Sequence, residues 1–312
     1  MLDLPMCQTL KYGVMPSLLK PGDKIAIVSP ASRIYPHLVD AAARVIESRG
    51  YVPVLATHCK DCVQGYAGTA HDRLADLHAA FADPSIKAIL CSRGGYGVVH
   101  LLEHLRLDLI AHNPKWLIGF SDISALHAAM HRAGVVSVHA SMAKHLAEKG
   151  MDHVAETLFC ILEGSTMHYS VPAHPLNIEG SAEGLLVGGN MAVLCGLIGT
   201  PFDLLARGDI LFIEDIGEPI YKIERMLYNL RLNGTLSRIK GLVVGRFTEC
   251  QSPDGTGETM EQMIRRMVEP LGIPVTFDFP CGHIHTNMPL LQSIKAHLEI
   301  TPSATTLSQI IE

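Results

Sequence analysis

The sequence has 312 residues, with 25 Lys and Arg against 31 Asp and Glu and a formal net charge of −6. Binding to a polyanion needs clustered positive charge, so this balance argues against a nucleic-acid partner. With 48% hydrophobic and 18% charged residues, the chain lies outside the disordered range, and its length suits about two folded domains.

The eight cysteines are spread along the whole chain: Cys7, Cys59, Cys62, Cys91, Cys160, Cys195, Cys250 and Cys281. This spacing does not suit a small disulfide framework, so we expect reduced thiols. The opening residues MLDLPMCQTLKYG place no basic segment before an apolar stretch, so we expect no secretory signal and a cytoplasmic protein. The apolar stretch 184–205 contains several glycines and Pro201, and we interpret it as buried core rather than a membrane span.

From residue 24 to about residue 164, short β-rich apolar runs alternate with amphipathic stretches, which is typical of βαβ units around a parallel sheet. The predicted strands are 24–31, 52–56, 87–92, 115–120 and 135–140. The predicted helices are 38–50, 71–83 and 122–134. Two of these helices end at glycine, a favoured stop, and the other meets Pro84.

The periodicity then fails, and the Ser- and Pro-containing stretch 166–182 is interpreted as a linker between domains 1–165 and 183–312. Further strands are predicted at 184–189, 209–215, 239–247, 273–279 and 296–302, and further helices at 220–234 and 258–272. The predicted fold class is α/β, with a parallel-sheet amino-terminal domain and a smaller mixed α/β carboxyl-terminal domain.

The run KWLIGFSDISALH carries a predicted strand through Gly119 and Phe120 into Ser121 and directly into a helix. Such a turn exposes a hydroxyl at the carboxyl edge of a sheet and places the next backbone N–H at a helix amino terminus, where an oxyanion can bind. The match to G-x-S-x-G is incomplete, and Ser121 and Asp122 are also ordinary helix caps. This segment alone leaves a nucleophile and a cap both open.

A glycine-containing loop, CSRGGYG (91–97), lies at the carboxyl end of the predicted strand 87–92. Adjacent glycines allow close approach of the backbone and can aim N–H groups at an anion. The loop lacks the G-K-[ST] of a phosphate-binding loop and the full G-x-G-x-x-G of a dinucleotide site. A plain tight turn therefore remains the alternative.

Acyl transfer by a serine also needs a base and a group that orients it. Glu214 ends the run ILFIED, and His283 lies in FPCGHIHTN. A carboxylate at the end of a buried strand needs a partner, and an imidazole N–H is the usual one in a triad. Spacing does not exclude the neighbouring candidates Asp215, Glu218 and His285.

Metal sites are the rival interpretation. His100, Glu103 and His104 spell H-x-x-E-H, a pattern that binds Zn²⁺ when both histidines share a helix face. His127 and His131 have the same spacing without a glutamate. The C-x-x-C pair Cys59 and Cys62 has no second ligand pair, and Cys91 ends an apolar strand as packing thiols do. We expect no metal.

Taken together, these segments resemble the LD-carboxypeptidase family, also called muramoyl-tetrapeptide carboxypeptidases, which includes microcin-immunity relatives. The likeness covers nearly the whole chain, in six blocks: 19–32, 67–97, 118–127, 184–203, 210–227 and 279–290.

The resemblance implies a catalytic triad of Ser121, Glu214 and His283 in a site between the two domains. It also implies an oxyanion hole from the backbone N–H groups of Gly95, with Gly94 as the alternative, and Asp122. It further implies a cytoplasmic homodimer without metal or organic cofactor.

By the same resemblance, the substrate is a murein-derived tetrapeptide that loses its terminal D-Ala from an L-to-D bond. A microcin-type acyl-peptide amidase and a non-catalytic two-domain ligand-binding protein are the alternatives. The candidate substrate-binding residues are Arg93, Asn190 and Arg225. The runs 139–142 (HASM) and 289–291 (PLL) depart from the family pattern at positions expected near the substrate groove.

Overall fold

The computed structural model describes residues 12–250 and 257–309, so Cys7 and the opening segment lie outside the described residues. The strands are β1 (Lys24–Val28), β2 (Val52–Leu55), β3 (Ile86–Cys91), β4 (Trp116–Gly119), β5 (Ser137–His139), β6 (Met167–Pro172), β7 (Gly180–Asn190), β8 (Ile210–Ile216), β9 (Gly241–Thr248), β10 (Val275–Thr276), β11 (Leu290–Gln292), β12 (Ile294–Ile300) and β13 (Ala304–Gln309). The cysteines in these ranges are all unpaired.

The helices are α1 (Pro36–Ser48), α2 (Ala70–Ala82), α3 (Leu107–His112), α4 (Ser124–Arg132), α5 (Ala143–Lys149), α6 (His153–Leu162), α7 (Met191–Cys195), α8 (Ile220–Leu232), α9 (Thr235–Arg238) and α10 (Met260–Val268). Short 3₁₀ turns occupy Val98–His104, Ser121–Ile123 and Glu269–Leu271. In the described ranges, no helix combines the length and apolar character that crossing a membrane requires.

The first sheet has the order β11-β5-β4-β3-β1-β2, and all its pairs are parallel except β11 with β5. The strands β1, β3 and β4 are buried almost throughout because helices cover both faces, which explains their continuous apolar sequences. Local signals fix the helix starts: Pro36 opens α1, and Thr69 and Asp72 form a capping box at α2.

The second sheet has the order β10-β9-β8-β7-β12-β13-β6. Its first four strands are parallel, and the remaining neighbours are antiparallel. Strand β12 alternates buried and exposed residues, as expected of a strand with one solvated face. The two sheets and their helices confirm the α/β fold class, with a first sheet that is parallel apart from β11 and a mixed second sheet.

The two sheets meet where β7 approaches the start of α4. A Cβ atom at Gly189 would overlap the side chain of Ser124, and the Ser124 hydroxyl accepts a 3.0 Å hydrogen bond from the Asn190 N–H. On the same strand, Gly188 exchanges two hydrogen bonds, of 3.0 and 2.7 Å, with the Gln292 side chain at the end of β11. These contacts hold the carboxyl end of β7 against the first sheet.

Three strands, β6, β11 and β13, were not predicted. Strand β6 lies within the stretch predicted as linker, and it pairs with β13 at the edge of the second sheet. Its polar residues point to solvent on an edge strand, which weakens the apolar signal that a strand prediction needs. Strand β11 belongs to the carboxyl-terminal part of the sequence but joins the first sheet. The domain boundaries at 165 and 183 stay a prediction.

Candidate active site

Ser121 lies at a sharp turn between β4 and α4. Its φ of +65° is in the left-handed region, which is uncommon for any residue other than glycine. The turn is also tight, since a Cβ atom at Gly119 would lie 2.9 Å from side-chain carbons of Ile123. Such a backbone costs about 1–3 kcal/mol and persists only where the surrounding structure enforces it.

Glu214, His283 and Ser121 form one hydrogen-bonded line. Nδ1 of His283 lies 2.8 Å from Oε2 of Glu214, and Nε2 lies 3.0 Å from Oγ of Ser121. A carboxylate only accepts hydrogen bonds, so Nδ1–H donates to Glu214 and leaves Nε2 free to accept from the serine hydroxyl. Glu214 is 0% exposed, which gives its charge a strong preference for this partner.

Glu214 reaches the imidazole from an irregular point in β8. The register between β8 and β9 shifts at this point, where Ile213 pairs with Val244 but Asp215 pairs with Phe247. Glu214 therefore lies opposite a bulge in β9. Bulges re-aim side chains and are frequent beside active sites. Gly282 completes the fit, because a Cβ atom there would lie 3.0 Å from Oε2 of Glu214.

The neighbouring candidates are engaged elsewhere. The Asp215 carboxylate accepts hydrogen bonds from Nδ2 of Asn190 at 2.9 Å and from the Ala192 N–H at 2.8 Å, and burial raises its pKa to about 6. Glu218 pairs with Lys222. The His285 ring lies 5.8 Å from the ring of His145.

The glycine loop, which carries one of the predicted oxyanion donors, lies beside the serine. A Cβ atom at Gly94 would lie 2.9 Å from Cβ of Ser121 and 3.3 Å from the Asp122 nitrogen, so the glycine loop touches the turn directly. Gly95 has a φ of +109°. Within residues 12–250 and 257–309, the N–H groups of Gly95 and Asp122 donate to no other group. Both amides are therefore available to a ligand.

Two buried side chains hold the glycine loop in place. One is that of Asp122, which the sequence suggested only as a helix cap and a backbone donor, and the other is that of Arg73, which the sequence did not suggest. Oδ2 of Asp122 accepts a 2.9 Å hydrogen bond from the Val98 N–H, although burial raises the pKa of this carboxyl. Arg73 donates from Nη1 to the carbonyls of Pro30 at 2.6 Å and Gly97 at 2.9 Å. Arg73 lies on α2 and is buried. Its role was missed because the sequence of an amphipathic helix does not show which charged side chains are buried.

A second missed group lies behind His283. Asn287 accepts a 2.8 Å hydrogen bond from the Gly282 N–H.

The fully buried His139 packs against Phe120 and Phe212, and burial holds its pKa well below its usual range. The 139–142 run was expected near the substrate groove. Its His139 does not line a groove, since it is buried at the end of β5, but Phe120 packs against both His139 and His283.

The same correction applies to the 289–291 run. Leu290 and Leu291 are fully buried in β11, where they pair with β5. These two positions therefore belong to the core of the first sheet rather than to the substrate groove.

The three candidate substrate-binding residues have different surroundings. Arg93 borders a cleft of about 150 Å³ together with Arg33 and Lys144. Asn190 caps α7 through Oδ1 and donates Nδ2 to Asp215, so its side chain has structural partners. Arg225 is exposed on α8, and its Cζ atom lies 5.5 Å from the centroid of the Tyr221 ring. This contact does not involve Ser121, Glu214 or His283.

The H-x-x-E-H hypothesis is wrong. His100 and His104 lie in a 3₁₀ helix, where residues three apart eclipse, so this i, i+4 pair does not share a face. The C-x-x-C thiols also form no ligand group, since Cys59 is buried and Cys62 is exposed. Among the described residues, the only potential metal-binding group is His145, Asp152 and His285.

Comparison with known proteins gives a consistent result over both halves of the chain. Residues 25–140 match the LD-carboxypeptidase N-terminal domain, and residues 183–298 match the LD-carboxypeptidase C-terminal domain. The murein tetrapeptide carboxypeptidase of Pseudomonas aeruginosa is 33% identical over 271 residues, which cover 83% of this chain and 88% of that protein.

A solved structure and a more distant relative agree. The muramoyltetrapeptide carboxypeptidase of Oxalobacter formigenes has a TM-score of 0.85 at 27% identity, covering 92% of this chain and 99% of that chain. The microcin C7 self-immunity protein MccF of Escherichia coli is 26% identical over 267 residues, covering 75% of this chain and 77% of that protein. The chain therefore belongs to the LD-carboxypeptidase family and is a serine carboxypeptidase, a hydrolase, rather than the non-catalytic binding protein that its sequence also allowed.

Proposed function

We propose that this enzyme hydrolyses the terminal L-to-D amide bond of murein-derived tetrapeptides and releases D-Ala through an acyl-enzyme intermediate. The observation that carries the proposal is the hydrogen-bonded line from Glu214 through His283 to Ser121. The relative from Pseudomonas aeruginosa, named as a murein tetrapeptide carboxypeptidase, supports the substrate class.

In the proposed mechanism, Ser121 Oγ attacks the carbonyl carbon of the scissile bond while Nε2 of His283 takes the hydroxyl proton. The N–H groups of Gly95 and Asp122 bind the resulting oxyanion, each contributing roughly 3–4 kcal/mol. Collapse breaks the C–N bond, and the imidazolium gives its proton to the departing amine of D-Ala. A water molecule then hydrolyses the acyl-enzyme by the same two proton transfers, with Glu214 holding the imidazole tautomer.

The free carboxylate of the leaving D-Ala needs a cationic site next to the triad. Arg93 directly precedes Gly94, and its Nη2 would lie 3.6 Å from a Cβ atom at Gly95. In the described part of the chain, neither Arg93 nor Arg33 pairs with a carboxylate; their guanidinium groups contact the Arg33 carbonyl and the Cys62 sulfur. We propose that the cleft bordered by Arg33, Arg93 and Lys144 binds this carboxylate.

Replacing Arg93 by glutamine is expected to lower kcat/KM for the free-acid tetrapeptide by roughly 10- to 100-fold, the loss of one charge-assisted hydrogen bond. The same change should leave kcat/KM for the C-terminally amidated peptide almost unaltered, because that peptide has no carboxylate to bind. Arg225→Gln, on the exposed face of α8, is the matched control and should alter neither value. Equal losses on both peptides would contradict a carboxylate site at Arg93.

The proposed activity is tested by mass spectrometry of products from free murein tetrapeptide. We expect tripeptide and D-Ala with the wild type and neither with Ser121→Ala. An acyl-peptide of the microcin type is the competing substrate, and because both reactions use the same triad, the ratio of the two kcat/KM values decides between them. A higher kcat/KM for the microcin-type peptide would reverse the substrate assignment.

The unpaired cysteines in the described ranges support a reducing compartment, and we propose a cytoplasmic location on that basis. The homodimer implied by the family resemblance stays a prediction.

A further inference from the structure

A cluster of three ligand-type side chains lies beside the triad but takes no part in it. Nε2 of His145 is 3.0 Å from each carboxylate oxygen of Asp152, and one ligand atom from each of His145, Asp152 and His285 lies within 4.8 Å of the others. His145 is on α5, Asp152 caps α6, and His285 is two residues beyond His283. The cluster therefore joins the loop of the triad histidine to the α5–α6 corner.

Ordinary structural roles account for part of this arrangement. Oδ1 of Asp152 accepts a 3.0 Å hydrogen bond from the Ala155 N–H and so caps α6, and a hydrogen bond with Asp152 accounts for His145. Neither role requires a second imidazole, yet the His285 ring lies 5.8 Å from the His145 ring at an interplanar angle of 35°. Oδ2 of Asp152 has no part in the cap. It lies 3.0 Å from Nε2 of His145, and a metal bound by both atoms would replace this hydrogen bond.

We propose that His145, Asp152 and His285 bind a Zn²⁺ ion. Two imidazoles and one carboxylate form a known zinc ligand set that leaves a fourth position for water. Bond lengths of about 2.0–2.2 Å place the ligand atoms of a tetrahedral zinc site roughly 3.3 Å apart. The His145 and Asp152 atoms already have nearly this spacing. His285 is exposed, so its ring can rotate to complete the site.

The bound ion links the loop that carries His283 to helices α5 and α6. This role differs from zinc-peptidase chemistry, because the ion does not contact Ser121 and takes no part in amide hydrolysis. The ion adds a restraint between α5 and the loop that carries His283 and His285. Without the ion, the contact between these two segments is the packing of the His145 and His285 rings. The consequence is a metal-dependent gain in stability of the folded enzyme, since an ion that binds only the folded state stabilises it.

Competition with a chromophoric chelator measures the Zn²⁺ stoichiometry and affinity of the purified full chain. We expect one ion per chain, and we expect His145→Asn and His285→Asn each to weaken binding by at least about tenfold. Asp152→Asn should do the same while still capping α6, because asparagine is also a good N-cap. Added Zn²⁺ should raise the Tm of the wild type and not that of His285→Asn, and circular dichroism checks that each variant is folded.

Three control variants separate this site from other ligands in the chain. His104→Asn removes a histidine of the H-x-x-E-H pattern, Cys62→Ser removes the exposed thiol, and His283→Asn removes the triad imidazole; none should abolish Zn²⁺ binding. The proposal is wrong if the wild type binds no Zn²⁺, or if binding survives His285→Asn and is lost in one of the controls. These binding measurements do not depend on whether the enzyme cleaves murein peptides.

Discussion

Replacing Ser121 by alanine is expected to lower kcat for tetrapeptide hydrolysis by roughly 10⁴- to 10⁶-fold, the range found when a triad nucleophile is removed. The variant keeps His283, Glu214 and the backbone donors, so we expect KM to change little. Steady-state kinetics on the purified tetrapeptide checks this result. A variant that keeps more than about a tenth of the wild-type kcat would show that Ser121 is not the nucleophile.

The same position offers a test that is independent of catalysis. Ser121 adopts a φ of +65°, which glycine adopts without steric cost and alanine only with strain, while both replacements lose the hydroxyl contact with His283. We therefore expect Ser121→Gly to be more stable to urea than Ser121→Ala by about 1 kcal/mol, after the entropic cost of glycine is subtracted. Equal stability of the two inactive variants would mean that the turn is not strained.

Local signals in the sequence predicted much of the fold. The helix of 71–83 carries its own capping box, and the strand that ends at Gly119 is apolar on both faces, so neither depends on distant contacts for its identity. Strand β6 was missed because it is stabilised by pairing with β13 more than a hundred residues away. Strand β11 is three residues long, which is too short for a period of two to be recognised.

The site was predictable to a similar extent. Ser121 was selected because a strand running directly into a helix is a local pattern, whereas the pairing of Glu214 with His283 depends on tertiary structure. The sequence indicated Glu214 but did not exclude Asp215, since both end the same apolar run. Consecutive residues of a strand point to opposite faces of the sheet, so Glu214 reaches His283 while Asp215 reaches Asn190, and the sequence of the run does not show which face His283 approaches. The family resemblance, rather than spacing, selected Glu214, and in the structure this is the carboxylate that hydrogen-bonds to His283.

Replacing Glu214 by glutamine is expected to lower kcat by roughly 10³- to 10⁴-fold while preserving the fold. Glutamine has the same shape, and Oε1 of Glu214 has no hydrogen-bond partner among the described residues. The amide can therefore place its oxygen or its NH₂ towards Nδ1 of His283. With the oxygen there, the geometry is kept, but the charge that stabilises the imidazolium is lost.

With the NH₂ group towards Nδ1, the proton of the neutral imidazole must lie on Nε2. Nε2 can then no longer accept the Ser121 proton. Either orientation lowers kcat, and neither alters the backbone N–H groups that bind the oxyanion.

Asp215→Asn is the matched control for Glu214→Gln, because it neutralises the adjacent buried carboxylate on the same strand. Asp215 accepts from Asn190 and Ala192, so an amide there puts an NH₂ group against one of these donors. We expect a loss of stability of about 1–3 kcal/mol, measured by urea denaturation, and less than about a tenfold change in kcat. If kcat instead fell much further in Asp215→Asn than in Glu214→Gln, the orienting acid would be Asp215. The hydrogen bond between Glu214 and His283 would then be structural only.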